Sequence, residues 1–337
     1  MKEAMLYERR DRKRVRCLLC AHHCLISDGK IGLCLVRENH GGTLYTQAYG
    51  KSTSQGIDPV EKKPLYHFYP GSKAFSVATA GCNFHCRFCQ NWQISQVLRE
   101  GGSIFGEELP PDRIVAVAGE SSCQSIAYTY TEPTIFFEYA YDTARLAHQA
   151  GLNNIFITNG YMTHEALQVI RPYLEAANVD LKSFDNAFYR KWVGAKLQPV
   201  LDTLKLMKEL NIWLEVTTLV IPTLSDSEDN LRQIAQFIAK ELGVSTPWHV
   251  SRFYPAYDLK HLPQTPIETL RKAREIGLQA GLRYVYEGNV PVSDGNGTFC
   301  YNCGHLLVRR SGHLISEYRI QAGHCYNCGA EIDGVGL

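Results

Sequence analysis

From about residue 75 onward, short apolar runs alternate with longer amphipathic ones, and this alternation constrains the fold more than any other feature of the sequence. The candidate strands are FSVATA (75–80), SIAYTY (125–130), NIFITN (154–159), NVDLK (178–182), WLEVTTLVI (213–221), WHVSRF (248–253) and RYVYEG (283–288). Helical periodicity falls between them, near 111–121, 134–150, 163–176, 198–210, 227–241 and 266–280. Strand–helix alternation at this spacing means βαβ units and a parallel sheet. Six or seven units predict an α/β protein built on a partial (β/α)6 TIM-like barrel, with a doubly wound open sheet as the alternative.

The flanks read differently. Residues 1–74 have little periodicity, and Pro59, Pro64 and Pro70 suggest an extended arm laid over a larger body. Residues 296–337 carry the string CYNCG twice and read as a module of their own. The expected organisation is therefore an N-terminal cysteine-containing extension (1–74), a core (75–290) and a C-terminal four-cysteine knuckle module (296–337).

Lys+Arg 35 against Asp+Glu 34 argues against a protein that binds polyanions, nucleic acid included, by bulk charge. No stretch approaches the roughly 20 apolar residues that span a bilayer. The N-terminal MKEAMLYERRDRKRVRC has positive charge but no apolar core behind it, unlike a secretory signal. A cytoplasmic, membrane-free protein is expected.

The 12 cysteines are grouped. In a reducing compartment, close-packed thiols are more often metal ligands than disulfides. GCNFHCRFCQNW directly follows the first strand, placing Cys82, Cys86 and Cys89 at C-x3-C-x2-C spacing. Three thiolates on one tight loop can hold three corners of a [4Fe–4S] cube and leave the fourth iron open to a bound molecule. A zinc knuckle, or a four-thiolate cluster completed from elsewhere, is the alternative, and a zinc site would be expected to show a nearby fourth ligand. Cys300, Cys303, Cys325 and Cys328 form two C-x2-C knuckles, each followed by a glycine, as in a zinc ribbon or rubredoxin-like pair. Structural zinc is favoured over iron there. At Cys17, Cys20, Cys24 and Cys34, zinc, a second iron–sulfur cluster and free thiols all stay open. Cys123 stands alone and reads as a small apolar core residue.

CNFHCRFC resembles the signature of radical S-adenosylmethionine (SAM) enzymes. The resemblance implies that the free iron chelates SAM, and that one electron splits the sulfonium into methionine and a hydrogen-abstracting 5′-deoxyadenosyl radical. It also assigns residues at the strand ends. Thr131 and Glu132 look like the family's counterpart of a Gly-Gly-Glu-Pro stretch that receives the SAM ammonium, with Tyr130 and Thr131 where that pattern has glycines. Asn159 ends the third strand. Asp180 and Lys182 share one face of the fourth and look like the family's Asp-x-Lys element. Glu215 and Thr217 share a face of the fifth strand and could reach the ribose. His249, or Tyr254 beyond it, would approach the adenosine. Phe88 is a candidate for adenine stacking, and Gln90 completes the cofactor set.

Over nearly the whole chain, CLLCAHHC…GLCLVREN, GIDPVEKKPLYHFYPG, GCNFHCRFCQNW and WHVSRFYPAY resemble the AmmeMemoRadiSam-system radical SAM enzymes, relatives of pyruvate formate-lyase activating enzymes. That resemblance implies a glycyl-radical-activase-like oxidoreductase and a flavodoxin- or ferredoxin-like electron donor. Other AmmeMemoRadiSam-system proteins become candidate partners, and a protein or peptide substrate is favoured over a small molecule. An iron–sulfur carrier or scaffold, and a zinc-ribbon nucleic-acid-binding protein, are the competing classes. A carrier has no need of polar strand ends, and near-neutral charge speaks against nucleic acid.

Overall fold

The computed structural model describes residues 1–290 and 294–337. Its centre is an eight-stranded sheet. The strands are β1 (Ser54–Pro59), β2 (Lys73–Ala78), β3 (Ser125–Tyr128), β4 (Asn153–Thr158), β5 (Ala176–Asp180), β6 (Trp213–Val220), β7 (Trp248–Arg252) and β8 (Val285–Gly288). The spatial order is sequential from β1 to β8. All neighbours pair in parallel except β1 and β2, which pair antiparallel.

Six helices alternate with the parallel strands: α1 (Pro111–Glu120), α2 (Phe137–Gln149), α3 (His164–Ile170), α4 (Gln198–Glu209), α5 (Glu228–Phe237) and α6 (Ile267–Gln279). A doubly wound sheet reverses its strand order at a switch point. This one never reverses, so right-handed crossovers place the helices on one face. That disposes of the open doubly wound alternative. The helix starts follow local chemistry: the Thr163 and Ser227 hydroxyls accept from Ala166 N and Asn230 N, capping α3 and α5, and Pro111 occupies the first position of α1.

The pleat separates two environments. Phe75, Val77, Ile126, Tyr128, Phe156, Val179, Leu214, Val216, Trp248 and Val250 enter the main core with the helices. The alternate positions Ala74, Ala127 and Ala176 are small and meet Val60, Leu65 and Phe68. The arm thus fills the second face of the sheet. The expected boundary near residue 74 falls inside the β1–β2 hairpin, because residues 54–59 are the sheet's antiparallel edge strand. Ahead of it, strands of two to four residues build two small three-stranded sheets.

The C-terminal module forms an antiparallel sheet from Thr298–Phe299, β9 (Leu306–Ser311) and β10 (Leu314–Tyr318). It packs on Tyr66, Tyr284 and Tyr286 of the main body. Arg310 of β9 is buried over the Tyr66 ring, 4.1 Å from its centre. It donates to Tyr66 O (3.0 Å) and Thr298 Oγ1 (2.8 Å), and lies 3.9 Å from the Glu61 carboxylate.

The chain's end is pinned by His67. Its Nδ1 donates to the Asp333 carbonyl (2.6 Å), and its Nε2 accepts from Tyr286 OH (2.5 Å). Burial lowers the imidazole to about 4. A folded pKa below the unfolded value of about 6.5 means the neutral ring stabilises the fold above that pH, and the contribution is lost as pH falls toward 4. By pH 5 the loss should be about 2 kcal/mol. Hydrogen exchange in residues 296–337 should therefore accelerate between pH 7 and pH 5, after correction for intrinsic rates; equal protection at both would refute the coupling.

Candidate functional site

The loop after β2 carries Cys82, Cys86 and Cys89 and is tied down on several sides. Gly81 N donates to Ile94 O, His85 N to Val193 O and Arg87 N to Trp192 O, each at 2.9–3.0 Å. Gly81 has φ +101°, and a Cβ there would approach Val36 Cγ1 at 3.1 Å and Cys34 O at 3.3 Å, so only glycine fits without strain. Cys89 Sγ lies 3.1 Å from Ser95 Oγ, and Cys82 Sγ accepts from Phe84 N (3.3 Å). Burial pushes all three thiols up, Cys86 to about 12 despite the opposing charge of Lys182. Thiolates in such a place call for a cation. The three sulfurs do not converge within 4.8 Å, as the ligands of one ion would. Wider spacing is what separate irons of one cluster require.

These cysteines line a cavity at the C-terminal ends of the parallel strands, with about 1440 Å³ of empty space counting its open mouth. Phe88, Gln90, Thr131, Glu132, Asn159, Asp180, Lys182 and Thr217 share the lining, so the structure brings together eight of the sequence-predicted residues.

Glu132 is 1% exposed. Its Oε1 accepts from Thr134 N (3.0 Å), Thr134 Oγ1 (2.5 Å) and Thr158 Oγ1 (2.7 Å), while Oε2 accepts only from Asn159 N (2.7 Å). Burial raises its carboxyl even so. Asn159 in turn donates to Asn83 Oδ1 (2.7 Å), linking the end of β4 to the cysteine loop. Lys182 Nζ reaches Asp180 Oδ2 (3.0 Å) and lies 5.8 Å from the Phe88 ring centre. Burial would lower the ammonium, but the charges of Asp180 and Cys86 outweigh it and raise its pKa. Thr217 Oγ1 and Asn83 Nδ2 are buried without a hydrogen-bond partner. Two orphaned polar atoms, one of them on the cavity wall, fit a bound polar ligand.

Two residues of the sequence-derived set stand apart from the other eight. Glu215 and His249 lie outside the lining. Glu215 accepts from Tyr66 N (3.0 Å), His67 N (2.8 Å), Trp213 Nε1 (3.1 Å) and His249 Nε2 (2.7 Å), so its oxygens are already filled. The His249 ring is wedged between Tyr66 and Tyr286, with centroids at 4.8 and 5.2 Å. Tyr254 is 38% exposed, with its hydroxyl on Asn289 O, and does not line the cavity either.

Other lining residues escaped the sequence reading, chiefly Lys63 and Tyr130. Tyr130 has φ +63°, the left-handed region, at a position where the resembling pattern has a glycine. That conformation costs a tyrosine about 1–2 kcal/mol. Its hydroxyl donates to Asp58 (2.5 Å), and Asn91 Nδ2 donates to its carbonyl (2.8 Å), which offset the strain. Lys63 Nζ donates to the same carboxylate (2.7 Å). Burial would raise the Asp58 carboxyl, but hydrogen bonds from Lys62, Lys63 and Tyr130 hold it well below the usual range. The signal was in the arm, where D-P-V-E-K-K-P sets an acid at the end of β1 and two lysines at the end of the short helical turn that follows.

At the other end, Cys300 and Cys328 sulfurs lie 3.7 Å apart, as do those of Cys303 and Cys325. Tetrahedral metal–sulfur bonds of about 2.3 Å place sulfurs about 3.8 Å apart. The four converge on one ion-sized site. The repeated CYNCG explains the symmetry: Asn302 donates to Cys328 and Asn327 to Cys303, each across to the opposite knuckle.

Comparison with known proteins agrees with this geometry. Residues 76–238 match the model of the radical SAM superfamily. The chain is 47% identical over 99% of both chains to the uncharacterized protein MJ0808 of Methanocaldococcus jannaschii. It is 26% identical to a putative glycyl-radical enzyme activating enzyme of the same organism, MJ1227, over 68% of this chain and 93% of that one. The fold resembles that of Streptococcus suis SuiB, crystallised with S-adenosylmethionine, at a TM-score of 0.52 and 12% identity over 68% of this chain and 53% of that one. With its cysteine loop at the ends of a parallel sheet and relatives among activating enzymes, the chain belongs to the radical SAM superfamily.

Proposed function

We propose that the chain is a radical SAM enzyme of the activase-like, AmmeMemoRadiSam-system kind, with a [4Fe–4S] cluster on Cys82, Cys86 and Cys89. The observation that carries this reading is the trio of thiols, Cys86 buried and Cys82 and Cys89 half-buried, which do not converge as the ligands of one ion would and which line a cavity with Thr217 Oγ1 unpaired on its wall. When bound, the cluster supplies the electron that splits SAM and generates the 5′-deoxyadenosyl radical. The chain's own residues bind and orient. Glu132 Oε2 has capacity for the SAM ammonium, and Lys182 offers the SAM carboxylate a cation held in place by Asp180. Thr217 offers a hydroxyl to the ribose, Thr131, Gln90 and Asn159 offer polar contacts, and Phe88 offers a ring for the adenine. The C-terminal four-cysteine site takes one structural ion, zinc in this reading, within the 296–337 module. A flavodoxin- or ferredoxin-like protein supplies the electron in the cytoplasm, and the hydrogen donor is a protein or peptide. No described helix is long and apolar enough to cross a membrane.

Anaerobic reconstitution with iron and sulfide, followed by SAM and dithionite, should yield 5′-deoxyadenosine. An intact cluster with SAM bound and no 5′-deoxyadenosine would end this reading. Glu132→Gln should keep the cluster's visible absorbance while weakening SAM about 10–100-fold, the scale of a hydrogen bond to a charged group. Equilibrium binding to the reconstituted variant checks this; an unchanged affinity would confine Glu132 to organising its own loop.

A further inference from the structure

Cys17, Cys20, Cys24 and Cys34 come from separate points of the N-terminal sheets and line a single pocket. Cys17 ends the strand Arg14–Cys17, and Cys20 is held by a β-bridge to Met162 beyond β4. The pocket has about 340 Å³ of empty space counting its mouth, and its walls are otherwise mostly apolar, Leu19, Ile26 and Ile135 among them. Each thiol lies within electrostatic reach of the other three. Yet no three of them converge within 4.8 Å, as the C-terminal four do. A tetrahedral single ion needs its ligands that close together, whereas ligands to different irons of one cluster stand farther apart.

A second observation points to what fills the space. Arg37 is 1% exposed and lines the same pocket. Its Nη2 donates to Glu138 Oε2 (2.5 Å), but Nε and Nη1 have no partner. Two unpaired guanidinium donors in a dry pocket are costly unless an anion receives them. Cluster sulfides and cysteine thiolates, which together carry net negative charge, are such acceptors. His22 does not compete as a ligand through Nε2, which already faces Asn83 O at 2.9 Å.

We propose that Cys17, Cys20, Cys24 and Cys34 bind a second iron–sulfur cluster, of the four-cysteine [4Fe–4S] class, with Arg37 hydrogen-bonded to it. This goes beyond the SAM chemistry, and its test does not use SAM, so the two readings fail separately. The triple variant Cys82→Ala/Cys86→Ala/Cys89→Ala, reconstituted without oxygen, should retain about four irons and four acid-labile sulfides per chain. Adding Cys20→Ser/Cys24→Ser should remove them. Labile sulfide missing from a folded triple variant overturns the proposal, as does metal retained in the N-terminal site without sulfide. Should the triple variant fail to fold, the wild type decides: about eight irons and eight sulfides support the site. About four of each, unchanged in Cys20→Ser/Cys24→Ser, overturn it.

Discussion

Cys86→Ala is expected to lower reductive SAM cleavage by about 10³-fold or more, the scale of removing an indispensable catalytic group. The thiol is central to the loop and 8% exposed. Alanine removes the sulfur but leaves the loop's backbone anchors, His85 N to Val193 O and Arg87 N to Trp192 O. The fold should therefore survive, and thermal melting of the apoprotein should move little. Iron and labile sulfide on this loop should be lost together with 5′-deoxyadenosine formation. The charge on Lys182 should persist, because Asp180 stays at 3.0 Å after the sulfur has gone. Cleavage continuing at the wild-type rate in this variant would show that the cluster sits elsewhere.

Arg310→Met should have the largest effect on stability, about 3–5 kcal/mol, the cost of breaking a buried charge pair from one side. Arg310 and Glu61 side chains are both fully buried. Methionine fills similar volume but leaves Glu61 with Gly71 N as its donor and no nearby cation. Tyr66 O also loses its donor, and the Tyr66 ring its cation. Adding Glu61→Gln removes the stranded charge and should recover part of the loss. Denaturant unfolding of both variants measures this. A change below about 1 kcal/mol in the single variant, or no recovery in the double, would show that the ion pair does not carry the docking of the C-terminal module.

The parallel strands were legible because each carries apolar positions in a row or in alternation, flanked by helices with clear periodicity. Predicted and observed strands agree to within two residues at each end. The small N-terminal sheets were not legible, since strands such as Lys2–Glu3 or Thr43–Thr46 are too short to show an alternation. In the site, alternation revealed which residues share a face but not how far along that face the cavity begins. Glu215 and Thr217 do point the same way, yet the arm crosses the sheet at Glu215 and leaves only Thr217 open. His249 lies under the same arm, its ring against that of Tyr66. Tyr130 shows another limit: its place where the resembling pattern has a glycine is visible in the sequence, but the distant hydrogen bond that lets its side chain tolerate a left-handed backbone is not.

The grip of Glu215 on the arm also sets an order of assembly. Tyr66 and His67 leave the ribosome early, but their amides find their acceptor only 149 and 148 residues later in the chain. Contacts so remote form late, after the local βα units have paid their own loop-closure entropy. Lys62, Lys63 and Pro64 belong to the same arm and form part of the cavity wall. The expected order is that the parallel strands and cysteine loop form while that wall still stands open. For the proposed cluster, iron and sulfide should have their easiest access at that point. Pulse-labelled hydrogen exchange should show the Tyr66 and His67 amides gaining protection after those of β3 to β6, and metal delivered before that moment should load faster than metal delivered to the finished fold.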